Sequence, residues 1–123
     1  MIKKQIIILG TGGNCIDILD TINDINARLS SKKYECIGFL DDNEKKWGET
    51  ILGVKILGGL QTANKYENVF FVNGIGSYLN FKNKEKIIRS TGIDDSQFET
   101  IIHPTASVSQ TALIGNGTVI FQN

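Results

Sequence analysis

A six-residue repeat at the end of the chain constrains its fold more than any other feature. Aliphatic residues recur at this spacing and small residues recur in step with them: Ile102, Val108, Ile114 and Ile120, with Ala106, Ala112 and Thr118. Three six-residue faces make one triangular coil of a parallel β-helix, whose inward side chains stack on the next coil. Residues 103–123 therefore predict the opening coil of a β-helix. Since about three repeats are needed before such a core closes, we expect a longer chain or a neighbouring molecule to complete it.

The first 102 residues instead alternate strands, glycine turns and helices. Continuous apolar runs predict three strands that are buried on both faces, as in a parallel sheet: Ile6–Leu9, Cys36–Leu40 and Val69–Val72. Helical spacing of apolar residues continues from Cys15 to Leu29, and a second helix is predicted over 81–91. Shorter elements are expected around them: an excursion at Gly53, a brief helix over Leu60–Tyr66 and a strand over Phe98–Ile102.

This order predicts a three-layer, Rossmann-like α/β domain with a short parallel sheet over residues 1–102. The six-residue periodicity takes over at His103 and Pro104, so we place the start of the β-helix at residues 103–123. Two architectures are expected to meet at this proline.

A glycine-rich turn, Gly10 to Asn14, follows the first predicted strand and precedes the first predicted helix. Gly10, Gly12 and Gly13 in this place leave backbone N–H groups and the positive end of the helix free to face an anion, so a nucleotide phosphate is the natural ligand. The dinucleotide fingerprint G-x-G-x-x-G would require a third glycine where Cys15 stands. The alternative is that these glycines only permit a tight turn.

Two further loops carry candidate binding residues. Asp41 and Asp42 end the second predicted strand, and Gly74 and Gly76 follow the third. Adjacent aspartates are also common turn formers. Because parallel strands share one carboxyl edge, where ligands bind in this topology, we expect all three loops to converge on one crevice.

Composition and charge exclude several classes of function. The 13 basic and 13 acidic residues balance, and neither sign forms a long block. We therefore expect no nucleic-acid partner and no membrane partner. No apolar run approaches the roughly 18 residues that span a bilayer, and no cleavage site follows the amino terminus. Cys15 and Cys36 show neither metal-ligand nor disulfide spacing, so a cytoplasmic protein without a metal site is predicted.

The order of these motifs resembles that of sugar acetyltransferases of the sialic acid O-acetyltransferase and bacillosamine-pathway N-acetyltransferase type. The resemblance covers the whole chain and is carried by four segments: Gly10–Asn14, Asp41-Asp42, Gly74–Gly76 and His103–Val108. It implies an amino-terminal Rossmann-like domain that binds a nucleotide sugar, commonly a UDP-amino-sugar, in surface-glycan biosynthesis. It also implies a left-handed β-helix that binds acetyl-CoA between the subunits of a homotrimer.

The resemblance further implies that the predicted site residues contact the sugar nucleotide: Gly12, Gly13 and Asn14 its phosphates or sugar, Asp41 and Asp42 its nucleoside, with Gly76 nearby. The family usually has histidine where Asn14 stands, and glycine or alanine at Cys15. Asparagine can donate and accept a hydrogen bond, but it cannot titrate near neutral pH.

The family's general base is a histidine in a later coil of the β-helix, which this chain does not reach. We therefore predict no catalytic residue and no acetyl-CoA site in these 123 residues. His103 aligns with the His-Pro entry to the β-helix, so a structural role is expected for it. Cys15 lies at a helix start, where thiol pKa values tend to fall, but no second histidine is present to activate it.

Two other functions are compatible with the sequence. One is an NAD-type dinucleotide-binding module, although Asp41 lies farther from the glycines than the usual spacing of about 20 residues. The other is a non-catalytic assembly or regulatory module that uses the hexapeptide coil as its contact surface.

Overall fold

The computed structural model describes residues 3–75, 81–106 and 117–121. It contains seven described strands and two α-helices, in the order β1 (Lys4–Leu9), α1 (Gly13–Ala27), β2 (Tyr34–Leu40), β3 (Thr50–Ile51), β4 (Val54–Gly58), β5 (Val69–Asn73), α2 (Phe81–Ser90), β6 (Ile101–Ile102) and β7 (Val119–Ile120). Short 3-10 helices lie at Glu44–Lys46, Leu60–Lys65 and Asp95–Gln97. Among the residues described, no helix combines the length and apolar character needed to cross a bilayer.

The main sheet has five strands in the order β3-β4-β2-β1-β5. Strands β4, β2, β1 and β5 are parallel, whereas β3 pairs with β4 in antiparallel orientation. The predicted α/β class with a parallel sheet is therefore confirmed. β1 lies inside the sheet, between β2 and the edge strand β5, so its apolar run has a neighbour on each side: Ile6 pairs with Cys36 of β2 and with Phe70 of β5.

Alternate residues of β1 face two separate apolar layers. Ile6 and Ile8 pack with α1 on one side of the sheet, and Ile7 and Leu9 pack with the 3-10 helix Leu60–Lys65 and with α2 on the other. All four side chains are fully buried. Because successive side chains of a strand point to opposite faces, a strand covered on both faces needs a continuous apolar run. The sheet and the two apolar layers that cover it form the predicted three layers.

Two predicted elements differ from the structure. α1 ends at Ala27 and not at Leu29, because the Asn26 side chain organises the turn into β2: its Nδ2 donates to the Tyr34 carbonyl oxygen (2.8 Å), and its Oδ1 accepts the N–H groups of Lys33 and Tyr34. The strand predicted over Phe98–Ile102 is not continuous. Phe98 forms one isolated parallel bridge to β5, and only Ile101–Ile102 forms a strand.

The predicted excursion around Gly53 is a two-residue hairpin between β3 and β4. Leu52 and Gly53 both have positive φ, +50° and +82°, as the tight hairpin turn that matches strand twist requires. The sequence analysis did not predict that β4 then joins the main sheet beside β2, which adds a fourth parallel strand.

β6 and β7 form a separate parallel pair in which Ile101 lies opposite Val119 and Ile102 opposite Ile120. Paired residues are thus 18 positions apart, the length of three six-residue faces. Residues 107–116 lie outside the described residues, so Val108, Ala112 and Ile114 of the repeat are not described. The β-helix and the boundary at 103 remain predictions.

Candidate functional site

Backbone hydrogen bonds beyond the strand ends hold the three predicted loops side by side. The Gly10 N–H donates to the Leu40 carbonyl oxygen (2.7 Å), which links the loop after β1 to the end of β2. The Gly74 N–H donates to the Leu9 carbonyl oxygen (2.9 Å), which links the loop after β5 to β1. A third bond of this kind joins the end of β2 to the end of β4. The loops therefore meet at one edge of the sheet.

These loops line a cleft of about 390 Å³, a volume within the range of small-molecule sites. It contains seven predicted site residues: Gly10, Gly12, Gly13, Asn14, Asp41, Asp42 and Gly74. The eighth, Gly76, lies outside the described residues. Four lining residues were not predicted: Thr11, Leu60, Ile75 and Ile87. Leu60 begins a 3-10 helix, Ile75 follows β5 and Ile87 lies in α2, and nothing in their local sequence marks them as ligand contacts.

Gly12 and Gly13 present bare backbone to this cleft. A methyl group built at either residue has no described atom within 4 Å beyond its chain neighbours. Gly12 is the N-cap of α1, it has ordinary extended backbone angles, and no acidic side chain stands in the first turn. The first N–H groups of a helix have no partners within it, and the helix dipole makes this end positive. The arrangement fits an anionic ligand.

Gly10 and Gly74 are glycines for a different reason, because Cys15 packs against both of them. A methyl group at Gly74 would lie 2.3 Å from the Cys15 sulfur and 3.1 Å from the Leu9 carbonyl oxygen. At Gly10 the same sulfur would be 3.0 Å away, and the backbone has a φ of +97°. These two glycines therefore allow the loops to approach each other closely.

Cys15 is a packing residue in this structure. Its side chain is fully buried, and its thiol points to the Leu9 carbonyl oxygen at 3.5 Å. Burial raises the pKa of this thiol to about 11, against a smaller lowering by the Gly12 backbone. The Cys15 side chain therefore stays a neutral thiol at physiological pH, and the helix start does not make it a nucleophile.

The Asp41 carboxylate is engaged by other groups of the protein. Its Oδ2 accepts a short hydrogen bond from the Thr11 hydroxyl, and the Lys46 ammonium lies 4.0 Å from the same oxygen. Lys46 also donates to the Thr11 oxygen at 3.0 Å, and Asp41 Oδ1 accepts the Asn43 N–H at 2.8 Å. Asp41 thus ties the first loop to the second. Sequence analysis missed Thr11 and Lys46 because neither belongs to a recognised spacing.

Asp42 is the more available carboxylate. Its residue is exposed in the cleft wall. Its Oδ1 accepts the Leu60 N–H at 2.9 Å, which fixes the orientation of the group. Its Oδ2 accepts no hydrogen bond from the part of the chain that the structure describes. An acceptor that is held in place and remains open suits the N–H or O–H groups of a ligand.

Residues 5–91 match the family model of the PglD N-terminal domain. The chain belongs to this family. The matched segment contains the described parts of all three loops of the cleft. A search of curated proteins gives no match.

Several solved structures share the fold of this chain. The acetyltransferase domain of PglB from Neisseria gonorrhoeae, in complex with acetyl coenzyme A, superposes with a TM-score of 0.74 at 22% identity, over 98% of this chain and 54% of that one. An asparagine-for-histidine mutant of perosamine N-acetyltransferase from Caulobacter crescentus, in complex with CoA and GDP-perosamine, gives 0.69 at 19% identity, over 96% and 51%. The chain thus spans about half the length of these structures.

His103 lies outside the matched segment and away from the cleft. It is 3% exposed, and both ring nitrogens are paired. Nδ1 accepts the Thr105 N–H (3.1 Å) and lies 2.8 Å from the Thr105 hydroxyl, so the ring proton is on Nε2, which donates to Asp24 Oδ2 at 2.9 Å. These contacts join α1 to the segment after β6, as the predicted structural role requires.

Proposed function

We propose that this chain is the nucleotide-sugar-binding domain of an acetyl-CoA-dependent sugar acetyltransferase. One observation carries the proposal: the open backbone of Gly12 and Gly13, at the positive end of α1, shares a cleft with the exposed carboxylate of Asp42. A diphosphate needs the first feature, and a nucleoside needs hydrogen-bond acceptors such as the second.

The geometry suggests how the ligand lies. The diphosphate would contact the backbone N–H groups at the start of α1, with the Asn14 side chain beside it. The nucleoside would extend past the end of β2 toward Asp42. The sugar would extend the other way, toward Gly74 and Ile75, because these cleft residues follow β5, which lies on the other side of β1 from β2. Gly76 is proposed for the same end on the family resemblance alone.

The wider reaction is proposed on the family and on the structural relatives. The related perosamine N-acetyltransferase was solved with CoA and GDP-perosamine, and the PglB domain with acetyl coenzyme A. We infer the same pair of substrate classes for the parent enzyme of this chain, with the acetyl-CoA site and the general base outside these residues. A homotrimer, a cytoplasmic location and a role in glycan biosynthesis belong to the same proposal.

The positions of Cys15 and Asp41 make NAD a less suitable ligand for this cleft. A dinucleotide fold uses a free carboxylate after the second strand to bind ribose hydroxyls. Asp41 is already bound by Thr11 and Lys46, so only Asp42 is available for this contact. Cys15 occupies the position of the third fingerprint glycine, and its sulfur fills the space under Gly74. A nucleotide sugar, which is proposed to be held through its diphosphate and its base, does not need the third glycine of the fingerprint.

Titration calorimetry with a UDP-amino-sugar, a GDP-amino-sugar and NAD tests this function. We expect binding of at least one sugar nucleotide and none of NAD. Binding of NAD alone would favour the dinucleotide module. A folded sample that binds none of the three ligands and forms trimers in solution would favour the assembly module.

A further inference from the structure

Trp47 is the single tryptophan of the chain, and its side chain is 45% exposed. Tryptophan is usually highly buried because it carries a large apolar surface. Trp47 follows the 3-10 helix Glu44–Lys46 that succeeds β2, so it lies near the nucleoside end of the cleft. The exposed ring therefore lies beside a proposed binding site.

The Trp47 ring is held in a defined position. Its Nε1–H donates to the Asp41 carbonyl oxygen at 2.7 Å. The next residue is anchored too, because the Gly48 N–H donates to the Ile56 carbonyl oxygen of β4 at 2.9 Å. The polar atom of the indole is thus already satisfied by the protein, and what remains open to solvent is aromatic surface.

Gly59 connects this ring to the cleft. A methyl group built at Gly59 would lie 3.3 Å from Asp42 Oδ1 and 3.3 Å from Trp47 Cζ2. Gly59 has ordinary extended backbone angles, so it is the space between the carboxylate and the indole that calls for a glycine here. Its neighbour Leu60 lines the cleft and donates its N–H to Asp42. Trp47 and Asp42 therefore flank the same backbone segment.

We infer that Trp47 provides the surface on which the nucleobase of the sugar nucleotide stacks, while Asp42 Oδ2 accepts an N–H of the same base. This inference rests on the proposed function and assigns part of the affinity for the nucleoside to one aromatic residue. An aromatic ring can stack on any base, because every base has a π-face. The Asp42 carboxylate then accepts a hydrogen bond from the same base. The position fits the topology, since a nucleoside that passes the end of β2 next reaches the end of β4.

Fluorescence and calorimetric titration with UDP test the inference. Emission in the wild-type protein comes from Trp47 as its one tryptophan, so we expect UDP to quench or shift it saturably. Trp47→Ala should weaken UDP binding about tenfold, near the lower end of what base stacking contributes. Trp47→Phe keeps a ring but loses the N–H, so it should bind nearly as well as wild type. Leu52→Ala removes another exposed apolar side chain, 65% exposed, and should change nothing.

The outcomes separate this inference from the proposed function. If the folded wild-type protein binds neither UDP nor a sugar nucleotide, the proposed function fails. If wild type and Trp47→Ala bind UDP equally well, the stacking role of Trp47 is overturned and the proposed function stands. Equal losses in Trp47→Ala and Trp47→Phe would assign the effect to the hydrogen bond with Asp41 and would also overturn stacking. Circular dichroism of each variant confirms that it is folded.

Discussion

The cleft at the carboxyl edge of the sheet and the junction around His103 are both polar, but they use their polar atoms differently. At the junction, both ring nitrogens of a buried histidine are paired, one with Thr105 and one with Asp24. In the cleft, the N–H groups of Gly12 and Gly13 and one oxygen of Asp42 have no hydrogen-bond partner among the described residues. The contrast teaches that chemical type alone does not mark a binding site. What marks it here is hydrogen-bonding capacity that the fold holds in place and leaves unused.

The largest expected effect comes from closing the open end of α1. Gly12→Asp places a carboxylate where the diphosphate would bind, so we expect sugar-nucleotide affinity to fall about a hundredfold or more. The same change should stabilise the fold by a few tenths of a kcal/mol, because aspartate is a better N-cap than glycine.

Calorimetry and thermal unfolding measure both consequences of Gly12→Asp. The matched control is Gly12→Ser, which improves the cap without adding charge and should weaken binding less. If Gly12→Asp instead lowers the unfolding free energy, Gly12 is needed for folding and is not a residue kept open for a ligand. That result would contradict the comparison between the two regions.

Gly74→Ala tests the other class of glycine in the same cleft. Its methyl group would meet the Cys15 sulfur and the Leu9 carbonyl oxygen, so we expect a loss of about 2 kcal/mol in unfolding free energy through overpacking. Adding Cys15→Ala should restore part of this loss, since it removes the closer contact. Urea denaturation of the wild type, both single variants and the double variant measures the coupling. Strictly additive losses would contradict the assigned contact.

Cys15 should also make stability depend on alkaline pH. Burial raises the pKa of its thiol to about 11 in the folded chain, above about 8.5 when unfolded. The folded protein keeps the proton while the unfolded chain releases it, so stability is full below pH 8.5 and falls as the pH rises toward 11. We expect Cys15 to account for about 3 kcal/mol of this fall.

Urea denaturation of wild type and Cys15→Ala between pH 8 and 11 measures this difference. The partly buried Cys36 thiol, whose pKa is also raised to about 11 by desolvation, is present in both proteins, so its contribution cancels. Identical slopes in the two proteins would show that Cys15 is accessible to solvent.

The smallest expected effect lies at the junction. Asp24→Asn keeps a hydrogen-bond acceptor for the His103 Nε2–H but removes its charge, so we expect a loss of about 1 kcal/mol in unfolding free energy. Asp20→Asn is the matched control, because Asp20 is exposed on the same helix and borders the same hollow. Neither change should alter nucleotide affinity. A loss of nucleotide affinity in Asp24→Asn would show that the junction and the cleft are energetically coupled, which would contradict the comparison.

Much of the fold could be predicted because the apolar runs of the interior strands are visible in the local sequence. The run Ile6–Leu9 faces apolar layers on both sides, so its sequence alone reports a buried parallel strand. The length of α1 could not be predicted in this way, since it depends on the contacts that Asn26 makes with the start of β2. β4 was missed because Val54–Gly58 is short and is interrupted by Lys55, so it lacks the continuous apolar run that marks the other parallel strands.

The convergence of the three loops followed from topology, because all parallel strands end at one edge. The different tasks of the two aspartates could not be predicted, since adjacent carboxylates look alike until their partners are known. Asp41 is engaged by Thr11 and Lys46, whereas Asp42 is held by Leu60 with one oxygen open. The sequence also could not distinguish the glycines that face the open cleft, Gly12 and Gly13, from those that pack against Cys15, Gly10 and Gly74. Only the position of the Cys15 side chain separates the two kinds.

The most direct test of the account is to map where a nucleotide binds. Amide chemical shifts of the isotope-labelled protein, followed by NMR during titration with UDP, report the position of the ligand residue by residue. We predict that the largest changes occur at the start of α1, at Gly12 and Gly13, and beside Asp42 and Gly59. Saturable changes confined to α1 around Asp24 and to His103, with the glycine loop unaffected, would contradict the account.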